Sequence, residues 1–239
     1  LKTFPGKKIC IDHHSSPVDE FDLSLIAPQV SSTAEIIYLA LCEDKNLDKP
    51  LAETFLVGIL GDTGNFTYLR PDQTSTLTTA KKLIEAGQIE IAELQSRYRT
   101  ILPRLLVIIQ EFLRNTQFHQ VKSWPNFQAS FITREFAEKN NFSDKEIAEA
   151  GAIYIASYVR AITGYSWGFI VTPRAGGQVN ISFRSLPGSV NVRELAEQMG
   201  IGGGHDRAAG GTFSRPRQIL ESVDCLEEVL SWLKEHKPV

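Results

Sequence analysis

The chain has 239 residues, 42% hydrophobic and 22% charged, with a formal net charge of −3, the balance of a folded chain whose length suits two modest cores better than one. Basic and acidic residues are evenly spread, 13 against 15 in residues 1–126 and 12 against 13 in residues 127–239; this excludes the broad basic face that a long duplex nucleic acid requires and favours small anionic partners. Cys10, Cys42 and Cys225 lack C-x-x-C spacing, which excludes a disulfide framework or zinc knuckle, and no apolar run approaches the ~20 residues of a membrane span, so a cytoplasmic chain with no membrane partner is expected.

Lys7-Lys8-Ile9-Cys10-Ile11 is a short apolar run after Pro5-Gly6 and predicts a buried strand ending at Asp12. Charged residues at the carboxyl end of a strand lie where open parallel sheets place ligands. The first residue is Leu1 rather than Met and a strand follows almost at once, so a truncated start is expected. A loop with Pro17 and Pro28 leads to Ser32-Thr33-Ala34-Glu35, an S-x-x-E capping box opening a helix. Residues 50–60 predict a second helix, running into Gly61-Asp62-Thr63-Gly64, where the glycines release a turn that presents Asp62.

From Thr74 to Arg114 the apolar spacing is helical, interrupted at Gly87 and Pro103, and predicts a helical linker. Beyond it, Phe118–Val121 and Phe127–Ile132 alternate as strands do, around Ser123-Trp124-Pro125-Asn126 as a turn. Ser143-Asp144-Lys145-Glu146 opens a helix to about Ser157; Ser166–Thr172 and Gln178–Arg184 predict paired strands; a helix over 191–199 leads into Gly202-Gly203-Gly204-His205; a strand over Ala208–Phe213 and a helix over 217–236 close the chain. The second domain thus reads β-β-α-β-β-α-β-α.

Asp12-His13-His14 sets a carboxylate and two imidazoles in succession, ligand types that suit manganese, iron or zinc, though successive strand residues face opposite ways and turn histidines would give the same triplet. Asp62 in its glycine-rich turn suits a metal ligand or an ordinary turn. Gly202-Gly203-Gly204-His205-Asp206-Arg207 lets backbone N–H groups approach an anion, with a flexible turn as the plainer reading. Arg184, before Ser185 at a strand end, suits a bidentate phosphate contact or a surface ion pair.

Taken together in order, Ile11-Asp12-His13-His14, Gly58-Ile59-Leu60-Gly61-Asp62-Thr63-Gly64-Asn65-Phe66, Arg184-Ser185, and Gly202-Gly203-Gly204-His205 with Ala208-Ala209-Gly210 resemble the DHH phosphoesterase superfamily. The likeness covers the whole chain and is greatest to the group of nanoRNases and pAp phosphatases. The resemblance implies an α/β fold: the C-terminal part of a parallel-sheet DHH domain with a helical linker over residues 1–113, then a smaller α/β substrate-binding, DHH-associated domain over 114–239.

It also implies a hydrolase with two divalent ions, usually manganese, in which His13 and Asp62 ligate metal, His14 contacts the scissile phosphate and Asp12 orients the imidazoles. Arg184, Ser185, Gly202, Gly203, Gly204 and His205 would bind the substrate, a short oligonucleotide or 3′-phosphoadenosine 5′-phosphate (pAp). Related readings are a RecJ-type single-strand exonuclease and a cyclic-dinucleotide phosphodiesterase; a nucleotide-binding protein without catalysis is the non-enzymatic one. A homodimer is compatible with all of them. Family members carry further His and Asp ligands upstream of the triplet, and Asp19, Glu20 and Asp22 after it do not replace them. About one more small domain's worth of sequence is therefore expected at the N-terminus, with hydrolysis impaired in this chain alone.

Overall fold

The computed structural model describes residues 4–14, 21–98 and 100–238, and the chain divides into two compact units, Leu1–Thr100 and Ile101–Val239. Pro17, Asp19 and Glu20 lie outside the described residues.

In the first unit, strand β1 (Ile9–Asp12) pairs in parallel with β2 (Leu23–Ile26), in the register Ile9 to Leu23 and Asp12 to Ile26. β2 falls where the sequence reading has only a loop. Four residues of Leu-Ser-Leu-Ile carry too short a pattern to stand out, and main-chain pairing with β1 supplies what the pattern lacks. The parallel pair agrees with the expected sheet, but β1 is not buried: Ile9 is 59% exposed and Leu23 61% exposed, because the described sheet has two strands and leaves much of both uncovered. Asp22 sits just before β2, its carboxylate accepting from the Lys8 N–H at 2.7 Å.

Helix α1 (Thr33–Leu41) starts at Ser32, whose hydroxyl accepts from the Glu35 N–H. The reciprocal half of the expected capping box is not made. The buried Glu35 carboxylate instead accepts from the Ser31 hydroxyl and the Thr76 hydroxyl, both at 2.8 Å, tying the start of α1 to helix α3 (Ser75–Gly87). Between them runs α2 (Lys49–Asp62), capped by Asp48, and α4 (Ile91–Tyr98) follows α3. Tyr38, Phe55, Leu56, Ile59, Leu83 and Leu94 form the core of this unit. A Cβ on Gly58 would fall 2.5 Å from the Ala34 side chain, so the missing side chain lets the last turns of α2 lie against the first turn of α1.

The second unit is built on a six-stranded sheet in the order β3-β4-β5-β6-β8-β7: β3 (Gln117–His119), β4 (Phe127–Phe131), β5 (Trp167–Arg174), β6 (Gln178–Ser185), β7 (Gly202–His205) and β8 (Ala208–Phe213). β4 and β5 are parallel and the other pairs antiparallel. Helices α8 (Val192–Gln198) and α9 (Ser222–Glu235) cover one face around Phe127, Trp167, Phe169, Val179, Ile181 and Phe183. Helices α5 (Pro103–Arg114), α6 (Arg134–Lys139) and α7 (Asp144–Ser157) form the second core around Ile132 and Ile170 on the opposite face. At Ser143 both halves of the capping box are present.

Three further features, beside β2, the exposure of β1 and the half-made cap at Ser32, differ from the sequence reading. Residue 113 is not where the units part: α5 buries Leu105, Ile108, Ile109 and Phe112 within the second unit, so the division falls between Thr100 and Ile101. The short helix α6 is additional. And Gly202–His205 is the edge strand β7, not a loop. Its glycines allow backbones to approach too closely for side chains: a Cβ on Gly202 would lie 2.1 Å from the Gly210 carbonyl oxygen, and one on Gly211 would lie 1.9 Å from that of Ile201.

Candidate functional site

β1 ends at Asp12, and the chain bends over His13 and His14. That bend removes the alternation a continued strand would impose. The ligand-capable atoms of Asp12, His13 and His14 all lie within 4.8 Å of one another. His14 Nδ1 is 2.7 Å from Asp12 Oδ1, which also accepts from the His14 main-chain N–H at 3.1 Å. The two imidazole rings lie 4.1 Å apart, centroid to centroid. The hydrogen bond from His14 holds the Asp12 carboxyl below the ordinary carboxylate value, against the opposing effect of burial.

Asp62 comes to the same place from α2, its Oδ2 4.0 Å from His13 Nδ1. It is the last residue of that helix, not part of a turn released by Gly61. The turn comes later: the Thr63 hydroxyl donates to the Ile59 carbonyl, the Asn65 N–H reaches the Leu60 carbonyl at 2.8 Å, and Gly64, Asn65 and Phe66 all take left-handed backbone angles. Asp62 is therefore aimed by a helix end, and the close packing at Gly58 and Ala34 brings that end to the triplet.

Sequence reasoning missed Thr33. As the first residue of α1, it puts its Oγ1 3.0 Å from His13 Nδ1 and 3.5 Å from Asp12 Oδ1. The only signal was its place in Ser32-Thr33-Ala34-Glu35, which marks a helix start and does not say what that start packs against.

Nitrogen and carboxylate donors that can share one centre at ~2.0–2.2 Å suit a divalent transition metal. Asp12, His13 and His14 satisfy the spacing, and Asp62 borders them. The set could hold a cation, with Thr33 Oγ1 against one ring and Asp12 Oδ1 against the other.

The second group of expected residues lies in the second unit. Along β6 the half-buried Asn180, Ser182 and Arg184 alternate with the buried Val179, Ile181, Phe183 and Ser185. Arg184 is opposite Ala208 on β8, and Ala208 is opposite His205 on β7, so Arg184 and His205 end one cross-strand row with a small side chain between them. The Arg184 guanidinium donates to the Phe183 carbonyl at 2.8 Å. Ser182 pairs with Gly210, and Gly210 with Gly203; small residues thus continue beside the row.

Ser185 does not join this group. Adjacent strand residues face opposite sides, and its side chain is buried on the α8 and α9 side, where Oγ has no hydrogen-bond partner among the described residues. The Asp206-Arg207 tip of the β7–β8 hairpin is fixed from below: the Val192 N–H donates to the Asp206 carbonyl, and Arg193 Nε to the Asp206 carboxylate at 3.0 Å. Arg207 donates to the Leu186 carbonyl at 2.9 Å.

Residues 128–233 match the DHHA1 domain family. The chain is 31% identical over 233 residues to the probable bifunctional oligoribonuclease and PAP phosphatase NrnA of Streptococcus mutans, covering 95% of this chain and 68% of that protein. It is 31% identical over 242 residues to the bifunctional oligoribonuclease and PAP phosphatase NrnA of Bacillus subtilis, covering 97% of this chain and 70% of that one. Among solved structures, an exopolyphosphatase-related protein from Bacteroides fragilis shares the fold, with a TM-score of 0.76 and 24% identity over 97% of this chain and 65% of that one.

Proposed function

Because the chain belongs to the DHH phosphoesterase superfamily, in the group of NrnA-type oligoribonucleases and PAP phosphatases, we propose that it serves a metal-dependent hydrolase of short oligonucleotides and of 3′-phosphoadenosine 5′-phosphate. The observation that carries this reading is the meeting of Asp62 at the end of α2 with Asp12-His13-His14 at the end of β1. His13 and Asp62 would hold metal, for which manganese is the proposed ion. Two ions need more donors than these two residues, which account for part of the set. When bound, the ions supply hydroxide near neutral pH and neutralise charge on the phosphoryl oxygens.

The chain's own side chains do the rest. Asp12 accepts from His14 Nδ1 and so turns Nε2 of that ring outward, where it can donate to a phosphoryl oxygen when protonated and stabilise charge developing there. Arg184, a fixed fork of N–H donors, would bind a phosphate of the nucleotide. Gly203 and His205 lie along the same region of sheet and offer main-chain and imidazole contacts. The even charge balance of the chain supports a substrate with few phosphates.

The test is to supply the full-length protein with manganese and offer pAp, a dinucleotide and a cyclic dinucleotide in parallel. Release of phosphate from pAp and of mononucleotides from the dinucleotide, both abolished by a chelator and restored by manganese, is the expected result. Turnover of the cyclic substrate alone would replace the proposed substrate class. Nucleotide binding with no turnover would favour a binding module.

A further inference from the structure

Asp12 faces both imidazoles of the triplet, His14 directly and His13 through a hydroxyl, while the second carboxylate near His13, that of Asp62, lies 4.0 Å from Nδ1, beyond hydrogen-bond reach. Asp12 Oδ1 is 2.7 Å from His14 Nδ1 but 3.7 Å from His13 Nδ1, too far for a hydrogen bond. Thr33 Oγ1 stands between, 3.0 Å from His13 Nδ1 and 3.5 Å from Asp12 Oδ1, the latter distance at the long end of hydrogen bonding. An ionised carboxylate only accepts, while a hydroxyl both donates and accepts. With its hydrogen directed to Asp12, Thr33 has only lone pairs to offer His13, and the ring must bring the proton.

We propose that Thr33 is a positioning residue for the metal site: it relays the Asp12 charge to His13 and fixes that ring as the Nδ1–H tautomer, leaving the Nε2 lone pair for the cation. The inference rests on the metal reading of the site given above, but it concerns a hydrogen bond made before any ion binds. Both rings then carry the same tautomer. The location of Thr33 makes the relay rigid. It is the first residue of α1, whose start is held by the Ser32 cap and by the buried Glu35 bonded to Ser31 and Thr76. A hydroxyl on a loop would wander; this one is anchored by a helix and by a second helix behind it.

The test uses the 239-residue chain, stripped of metal with a chelator and labelled with nitrogen-15, at a pH where its histidines are neutral. Long-range proton–nitrogen spectra, with the His13 signals identified by their loss in His13→Gln, report which ring nitrogen carries the proton. The parent is expected to show Nδ1–H at His13, Thr33→Ser to keep it, and Thr33→Val, which has the same shape without the hydroxyl, to lose the preference. Amide spectra that superimpose away from the site would establish that Thr33→Val is folded; if it is not, the tautomer in the parent and in Thr33→Ser decides the matter.

Manganese affinity of the full-length protein should fall roughly 10–100-fold in Thr33→Val and stay near the parent value in Thr33→Ser. An Nε2–H tautomer in the parent, or a folded Thr33→Val with an unchanged His13 spectrum, would overturn the proposal. A full-length parent that shows the Nδ1–H tautomer yet binds no manganese would count against the metal reading and leave the relay supported.

Discussion

The His14 ring is fixed by Asp12: its Nδ1 lies 2.7 Å from Asp12 Oδ1, and the same oxygen accepts the His14 main-chain N–H. This contact holds the Asp12 carboxyl ionised below its ordinary range. Asp12→Asn keeps the shape but removes the charge, and the amide can turn its NH2 toward the ring and reverse the donor. Steady-state kinetics with manganese should show a loss of roughly 10–100-fold, the usual size for partners that orient ligands. Wild-type turnover in Asp12→Asn would remove Asp12 from that role.

Arg184 and Ser185 should separate, although they are neighbours in sequence. Arg184 is half-buried on one face of β6 and Ser185 is buried on the other. Arg184→Ala should weaken nucleotide binding by about 1.5–3 kcal/mol, the range for a hydrogen bond to a charged group, measured by calorimetry. Ser185→Ala should leave binding unchanged and stability near the parent value, since its buried Oγ has no partner to lose. Equal loss of binding in the two variants would contradict the placement of β6.

The glycines of the β7–β8 hairpin are required to different degrees. Gly211→Ala would bring a methyl group against the Ile201 carbonyl, whereas Gly203→Ala meets nothing closer than 3.8 Å. Urea denaturation should show Gly211→Ala destabilised by at least about 1–3 kcal/mol, as expected of overpacking, and Gly203→Ala close to the parent. The reverse order would mean that β7 does not pair with β8 in this register.

Glu146 predicts a pH dependence. The Arg104 guanidinium 2.7 Å away, aided by the Ser143 N–H and hydroxyl, lowers its carboxyl to about 2 from an ordinary 4.5. A depressed folded-state value means that the stabilisation is complete above the ordinary value and is lost as pH falls through 4.5 towards 2. All three tryptophans lie in the second unit, so their fluorescence reports its thermal unfolding. The gap in midpoint between the parent and Glu146→Gln should be widest above pH 5 and shrink as pH falls to 2; a constant gap would exclude this source.

The parts of this protein that were legible in its sequence are those set by local pattern. The capping box at Ser143, the alternation in residues 178–184 and the helical spacing from Thr74 to Arg114 all correspond to elements in the structure. What was not legible depends on neighbours. Gly202–Gly204 look like a loop because glycine has little strand propensity, and only the close approach of β8 explains them as a strand. Asp62 looks like a turn residue because glycines flank it, but α2 continues through Gly61 and the left-handed turn begins at Gly64. Thr33 gives a helix-start signal and nothing more. By contrast, the opposite facing of Arg184 and Ser185 follows from strand period alone, and could have been read in advance.

If Asp62 and His13 share one metal centre for phosphoester hydrolysis while Arg184 acts on binding, substitutions at the three positions should separate in their kinetics. The most direct test is steady-state kinetics of the full-length protein with manganese and pAp, comparing His13→Ala, Asp62→Ala and Arg184→Ala. The expected result is that kcat collapses in the first two and that Arg184→Ala mainly raises KM, as loss of a contact equal in ground and transition states requires. Turnover by His13→Ala or Asp62→Ala at the parent's rate would contradict it.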